Sequence, residues 1–286
     1  QGNPRATAGT HLASVRNVGV ANSAERDIMP VNDMTTVRIA AVGDMHYGKG
    51  SHGDLSPLFE QVADRGADIL LLAGDLTDYG LPEEAEILVR DLRATLRIPV
   101  IGVLGNHDFE SGRQDEVRAA LDHGGITILD GDSCEAHGIG FAGVKGFAGG
   151  FGRGALGPWG EAATKAFVQE ALNEALKLES ALARLRMEHR IALVHYSPIQ
   201  ATVEGEPPEI FPFLGSSRLE EPLNRYPVTA VFHGHAHHGT PMGRTAAGVP
   251  VYNVSAGLMR RLNPDGPWFH MLELHPAAIA TVDRGG

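Results

Sequence analysis

Cys134 is the only cysteine among the 286 residues, so no intrachain disulfide can form and no thiolate-rich zinc site can be built. Such a chain suits a reducing compartment, and a cytoplasmic protein is expected. Basic residues are also scarce: 24 Lys and Arg against 35 Asp and Glu leave a net charge of -11. That balance works against wrapping nucleic acid or adhering to an anionic membrane, so a nucleic-acid polymer is not an expected partner. No apolar run approaches the roughly 20 residues of a membrane span. The purest is Ile69-Leu70-Leu71-Leu72-Ala73, and a soluble chain without a membrane span is expected. A hydrophobic content of 43% still suffices for an extensive core in one large domain or two small ones.

Histidine, in contrast, is abundant and crowded. His233, His235, His237 and His238 fall within six positions, directly after the apolar run that ends at Phe232. On extended backbone the side chains of 233, 235 and 237 share a face, and Gly234 lets the chain pass close to a bulky or charged group. Neutral imidazole is the commonest metal ligand, which makes a metal the first reading of this stretch.

Residues 1–33 mix Gly, Asn, Ser, Ala and Arg without periodicity, and 1–36 is expected to be a disordered tail before a catalytic domain over 37–286. Short apolar runs at 37–42, 69–73, 100–104, 191–194 and 228–232 read as buried strands. Between the first three lie helical patterns, including one in which Pro82, Glu83 and Glu84 open a helix with Ala85, Leu88, Val89, Leu92 and Leu96 as its buried stripe. This alternation predicts parallel β-loop-α units. Ten glycines between 138 and 160 read as turns and a surface loop. A long helix is expected near 161–187. Ser217 and Glu220 suggest a capping box. Runs at 249–254, 269–274 and 279–282 are expected as antiparallel strands closing a second sheet.

Each of the five strands delivers polar groups at its end: Asp44 and His46, Asp75, Asn106 and His107, His195, then His235 and His237. In α/β sheets the loops beyond the strands' C-terminal ends share one crevice. Nitrogen and oxygen donors without thiolate suit zinc, manganese, iron or a similar ion more than calcium. These donors exceed one tetrahedral site but suffice for two ions sharing a carboxylate, the usual apparatus for displacement at phosphorus.

The order D-x-H at Asp44 and His46, G-D-x-x-D from Gly74 to Asp78, G-N-H-D from Gly105 to Asp108, a lone His195 and G-H-x-H from Gly234 to His237 resembles the calcineurin-like metallophosphoesterase superfamily. The resemblance covers residues 37 to about 255. It implies an α/β fold, a four-layer α/β/β/α sandwich of two mixed β-sheets flanked by helices. It also implies two metal ions (Mn, Fe, Zn or similar), one held by Asp44, His46 and His237, the other by Asn106, His195 and His235, with Asp75 bridging. A hydroxide held between the ions would attack a small-molecule phosphate ester, with His107 as general acid and Asp108 holding its ring. Asp78 is expected to support a ligand, and Arg218, Arg260 and Arg261 are candidates for steering phosphate. Two departures from the protein serine/threonine phosphatase branch, Tyr79 where that branch has Arg and Asp108 where it has Glu, make the pattern more similar to bacterial class III cyclic-nucleotide-phosphodiesterase-like members. A small phosphodiester is therefore the expected substrate; the alternatives are a broad-specificity phosphomonoesterase and a non-catalytic metal-binding scaffold.

Overall fold

The computed structural model describes residues 36–276. The tail expected over 1–36, apart from Thr36, and the strand expected over 279–282 lie outside the described residues.

Strand β1 (Val37–Val42), helix α1 (Ser56–Asp64), strand β2 (Ile69–Ala73), helix α2 (Pro82–Thr95), strand β3 (Val100–Val103), helix α3 (Gln114–His123) and strand β4 (Ile126–Ile128) follow one another. The four strands are mutually parallel, because each helical crossover returns the chain to the same end of the sheet. Every residue of β2 is buried, as expected for a strand covered on both faces. Glu84 opens α2 as the sequence suggests: its carboxylate accepts from the amides of Tyr79 and Leu81, two donors that the first turn would otherwise leave unpaired.

The second sheet is built from β5 (Asp132–Ala136), β6 (Ile139–Val144), β7 (Arg190–Val194), β8 (Ala230–His233), β9 (Met242–Arg244) and β10 (Pro250–Asn253) in the order β5-β6-β7-β8-β10-β9. Helices α4 (Ala162–Arg184), α5 (Phe211–Leu214), α6 (Glu220–Arg225) and α7 (Ala256–Leu262) complete the chain together with strand β11 (His270–Leu274).

Alternation along the strands sorts the core into layers. Ile39, Ala41, Leu71, Ile101 and Val103 face Phe141, Ile191, Leu193 and Phe232 between the sheets. Ala40, Val42, Leu70 and Leu72 pack outward with Leu58, Phe59, Leu88 and Leu121 of α1 to α3. Ala142, Val144, Ala192 and Val194 pack outward with Leu178 and Leu182 of α4 and Leu223 of α6. The result is the expected α/β/β/α sandwich of two mixed sheets.

Several expectations need correction. β11 does not close the second sheet; it pairs antiparallel with β1 from Val37↔Leu274 to Ala41↔His270, so it caps the otherwise open edge of the first. β10 joins the second sheet as expected, antiparallel to β9 but parallel to β8. Within the glycine-rich stretch, 139–144 is an interior strand whose residues are all buried. Gly143 fits there because a Cβ would come within 2.8 Å of Val103 Cγ1 across the core, so this glycine marks close packing between the sheets. The capping box at Ser217 is also absent: Ser217 Oγ instead accepts from Gly152 N at 2.7 Å, joining two loops.

Candidate metal centre

Three of the five strands that enter the site, β1, β2 and β8, run into polar residues whose backbone is bent sharply away. Asp44, His46, Asp75 and His235 have φ of 56°, 46°, 48° and 70°, a left-handed conformation that costs a non-glycine residue of order 1–3 kcal/mol. Four of the five such residues among the described positions are candidate ligands. Compensation comes from contacts around the bends: Asp44 N donates to Gly74 O at 2.9 Å and His46 N to Asp75 O at 3.0 Å, so the β1 and β2 loops brace each other.

The glycines of the motifs make room for ligands carried by other motifs. A Cβ at Gly105 would sit 2.1 Å from Asp75 Oδ1, and one at Gly234 would sit 2.4 Å from Asp44 Oδ2. Neither clash is relieved without displacing a carboxylate, so the G-N-H-D and G-H-x-H blocks need glycine for reasons invisible within the blocks themselves.

The side chains converge in two overlapping clusters. Asp44, His46 and His237 form one group whose ligand atoms lie within 4.8 Å of one another, and Asp75, His195 and His235 form another. Asn106 joins the second group, with Oδ1 2.9 Å from His195 Nε2. All seven predicted ligands are therefore brought together. A third group, His46, Asp78 and His107, meets the same distance criterion, and Asp78 Oδ1 lies 3.7 Å from His46 Nδ1.

Hydrogen bonds fix which imidazole nitrogens face inward. His195 Nδ1 donates to Ala73 O at 2.9 Å, which turns the lone pair of Nε2 toward Asn106 Oδ1 and toward Asp75 Oδ1 at 3.3 Å. Three lone pairs converging on one point are stable only around positive charge. His235 Nε2 donates to Phe213 O at 3.1 Å, leaving Nδ1 as its ligand atom. His46 Nε2 is buried with no hydrogen-bond partner, a costly state for a polar atom. The donor set and this orphaned nitrogen fit metal ions.

Electrostatics agree with that fit. Burial opposes ionisation of Asp44, yet the hydrogen bond from His237 and the surrounding imidazoles outweigh it and bring the carboxyl down to about 2. Burial, reinforced by neighbouring His195, lowers His235 to about 3; burial lowers His46 as well. His237 moves the other way, raised chiefly by its bond to Asp44. The Asp44 carboxylate is thus ionised, and burial favours the neutral ring at His46 and His235, the forms that bind metal.

His107 stands beside the first cluster, its ring centroid 4.5 Å from that of His46. The expected support by Asp108 is not what orients it: His107 Nδ1 donates to Asp78 O at 2.8 Å. Asp108 points the other way, into the protein, where its carboxylate accepts from Leu76 N, Thr77 N, Thr77 Oγ1 and Gly105 N. Adjacent positions in a tight helical turn diverge, so Asp108 ties the Asp75 loop to the Asn106 loop instead. Burial and the charge of Asp75 push its carboxyl up to about 6 in spite of those donors.

The His235 turn is held from beneath by a polar network that sequence reasoning did not find. Thr202 Oγ1 lies 2.8 Å from both Ser197 Oγ and His233 Nε2, and Asn253 Nδ2 donates to Ala236 O at 2.7 Å. Fully buried His233 is therefore structural. Tyr196 places its ring centroid 4.4 Å from that of His235. Each of the three arginines makes a protein contact, although Arg218 Nη1 is buried without a partner. Arg218 Nη2 donates to Leu156 O, Arg260 lies over the Trp268 ring, and Arg261 donates to the main chain of His237.

Among the described residues no helix is long and apolar enough to cross a membrane. No curated protein matches the sequence. A phosphopantetheinyl hydrolase from Mycobacterium tuberculosis has a similar fold, with a TM-score of 0.58 at 18% identity over 82% of this chain and 95% of that one. TT1561 of Thermus thermophilus aligns with a TM-score of 0.47 at 17% identity, over 79% of this chain and 92% of that one. Residues 37–239, which include every strand-end ligand described above, match the calcineurin-like phosphoesterase family, and the chain belongs to that family of metal-dependent phosphoester hydrolases.

Proposed function

We propose that this protein hydrolyses a small phosphodiester at a dinuclear metal centre. The observation that carries the reading is the placement of Asp75, whose Oδ1 lies 3.3 Å from His195 Nε2 and whose Oδ2 lies 3.9 Å from His46 Nε2. One carboxylate thus offers one oxygen to each cluster. Asp44, His46 and His237 would hold one ion, Asn106, His195 and His235 the other, and Asp75 both. Such ions, when bound, make a water-derived nucleophile available near neutral pH and supply positive charge for the phosphoryl oxygens.

The chain's own residues do the remaining work. His107 N donates to Asp75 Oδ1 at 2.8 Å, which fixes the turn that carries the imidazole. With Nδ1–H held by the Asp78 carbonyl, Nε2–H of the protonated ring is the group that can pass a proton to the departing alkoxide. Asp44 is held in turn by the His235 amide, at 2.9 and 3.0 Å to its two oxygens.

The preference for a diester is supported by what surrounds the centre. A monoester dianion carries more charge than a diester and favours a cationic clamp. Here Tyr79 occupies the position of the clamping arginine in the protein phosphatase branch, and Arg260 and Arg261 are engaged with the Trp268 ring and the main chain of His237. The test is a comparison of bis(4-nitrophenyl) phosphate with 4-nitrophenyl phosphate on manganese-, iron- and zinc-reconstituted protein. The diester is expected to be the faster substrate by kcat/KM; a faster monoester reaction would replace this reading with a phosphomonoesterase.

A further inference from the structure

Phe213 belongs to the site through its main chain and to the surface through its side chain. Its carbonyl accepts from His235 Nε2 at 3.1 Å, while the residue is 59% exposed. With Leu156, Ala163, Thr164 and Phe167 it lines an open groove of about 330 Å³. That volume is at the small end of the roughly 300–1,000 Å³ typical of small-molecule sites. None of the five lining side chains is charged, although charged and titratable groups dominate the catalytic edge.

A second path links the groove to the centre. From His235 the Tyr196 ring is 4.4 Å away, Phe147 is 6.0 Å beyond that, and Phe167 in the groove wall is 5.0 Å further on. The groove is thus joined to His235 directly by the Phe213 main chain and indirectly by this row of packed rings. His107 stands against His46 of the other cluster, so the proton donor contacts one cluster and the groove wall the other. The walls are braced as well: Gly149 N donates to Pro212 O at 2.7 Å, Leu156 N to Gly149 O at 2.8 Å, and Arg218 Nη2 to Leu156 O at 2.7 Å. An uncharged, braced concavity with an exposed aromatic residue beside a reactive centre marks a ligand contact.

We infer that this groove receives a short apolar ester arm that stays on phosphorus during the reaction, so that the preferred substrate is a small diester with one alkyl or aryl group. The inference rests on the phosphodiesterase reading. Water adds to phosphorus, the bond to the other alcohol breaks, and that alkoxide takes the proton of His107. A proton from the water passes to solvent, from which His107 is reprotonated. The product is a monoester whose apolar arm still lies in the groove.

The experiment uses 4-nitrophenyl diesters whose retained arm is methyl, hexyl, phenyl or dodecyl. A common leaving group keeps the chemical step alike. The hexyl and phenyl esters should exceed the methyl ester by about tenfold in kcat/KM, with no further gain at dodecyl, because a groove of about 330 Å³ holds only a short arm. That ratio should fall to near one in Phe213→Ala. It should fall likewise in Ala163→Gln, which lies exposed in the first turn of α4 and leaves the His235 contact untouched. Binding of hexyl methylphosphonate and methyl methylphosphonate to metal-free protein, followed by calorimetry, gives the same comparison without turnover. If no diester is hydrolysed while the hexyl preference in binding persists and is lost in both variants, the phosphodiesterase reading fails and the groove stands. A hexyl-to-methyl ratio near one in the parent, a ratio that survives both variants, or a rate still climbing at dodecyl overturns the groove. So does self-association in sedimentation that Ala163→Gln abolishes, which would assign this face to a second copy of the chain.

Discussion

At the scale of single residues, the site depends on contacts between motifs more than on any one motif. Gly105→Ala changes one hydrogen to a methyl, yet that methyl would lie 2.1 Å from Asp75 Oδ1. Displacing the shared carboxylate should lower metal content, measured by elemental analysis, and reduce kcat by about 10²-fold, in line with a misplacement of about 1 Å. His107→Ala should cost roughly 10²–10⁴-fold with a diester whose leaving group is a simple alcohol, and far less when 4-nitrophenolate departs, since that anion needs no proton. Equal losses with both leaving groups would remove His107 from the acid role. Asp108→Asn takes a carboxylate away from four donors and should destabilise by roughly 1–3 kcal/mol in denaturant unfolding. If Asp108 oriented His107, the same variant would copy the leaving-group dependence of His107→Ala; the Asp78 carbonyl contact predicts that it does not.

At the scale of elements, strands point and loops grip. β1, β2, β3, β7 and β8 stop at the same edge because they are parallel within their sheets, and the two sheets are joined there: Gly43 N donates to Val254 O at 2.9 Å and Ala256 N to Gly43 O at 2.9 Å. The connection over 199–216 then supports the His235 turn from its buried side. Thr202→Val keeps the shape but removes the hydroxyl shared by Ser197 and His233, leaving both without that partner. A loss of roughly 1–3 kcal/mol is expected, together with weaker metal binding, because the backbone of 233–237 loses its anchor. Unchanged stability would show that water takes over the role of the hydroxyl. In the layer between the sheets, Leu71→Ala opens a cavity at a fully buried position and should cost about 2–5 kcal/mol without changing the ratio of diester to monoester activity.

At the scale of the whole molecule, metal and fold should be coupled. Converging lone pairs at His195, Asn106 and Asp75 and the left-handed backbone at Asp44, His46, Asp75 and His235 are held by the sandwich alone when no ion is bound. Stripping the protein with a chelator should therefore abolish hydrolysis and lower Tm. At an ion concentration of 100 Kd the linked stabilisation is about 2.7 kcal/mol per site, readable by calorimetry before and after reconstitution. A chelated protein of unchanged Tm and full activity would contradict the metal centre altogether.

Much of this architecture was legible in the chain. Two apolar periods, β-branched strands and helical stripes, determined the parallel units, since the residues that bury on both faces of a sheet must be continuous in sequence. The candidate donors were legible for a related reason: a side chain that binds metal must carry nitrogen or oxygen, and each candidate lies within a few residues of its strand's end. What surrounds the ligands was not. That Asp78 contributes its carbonyl to His107, that Asp108 turns inward, that β11 covers β1 and that Phe213 links His235 to an apolar groove are all relations between residues distant in sequence or divergent within one turn. Such relations are decided by packing and by the closing of hydrogen bonds in three dimensions, because a one-dimensional pattern records which face a side chain occupies but not which partner that face will meet.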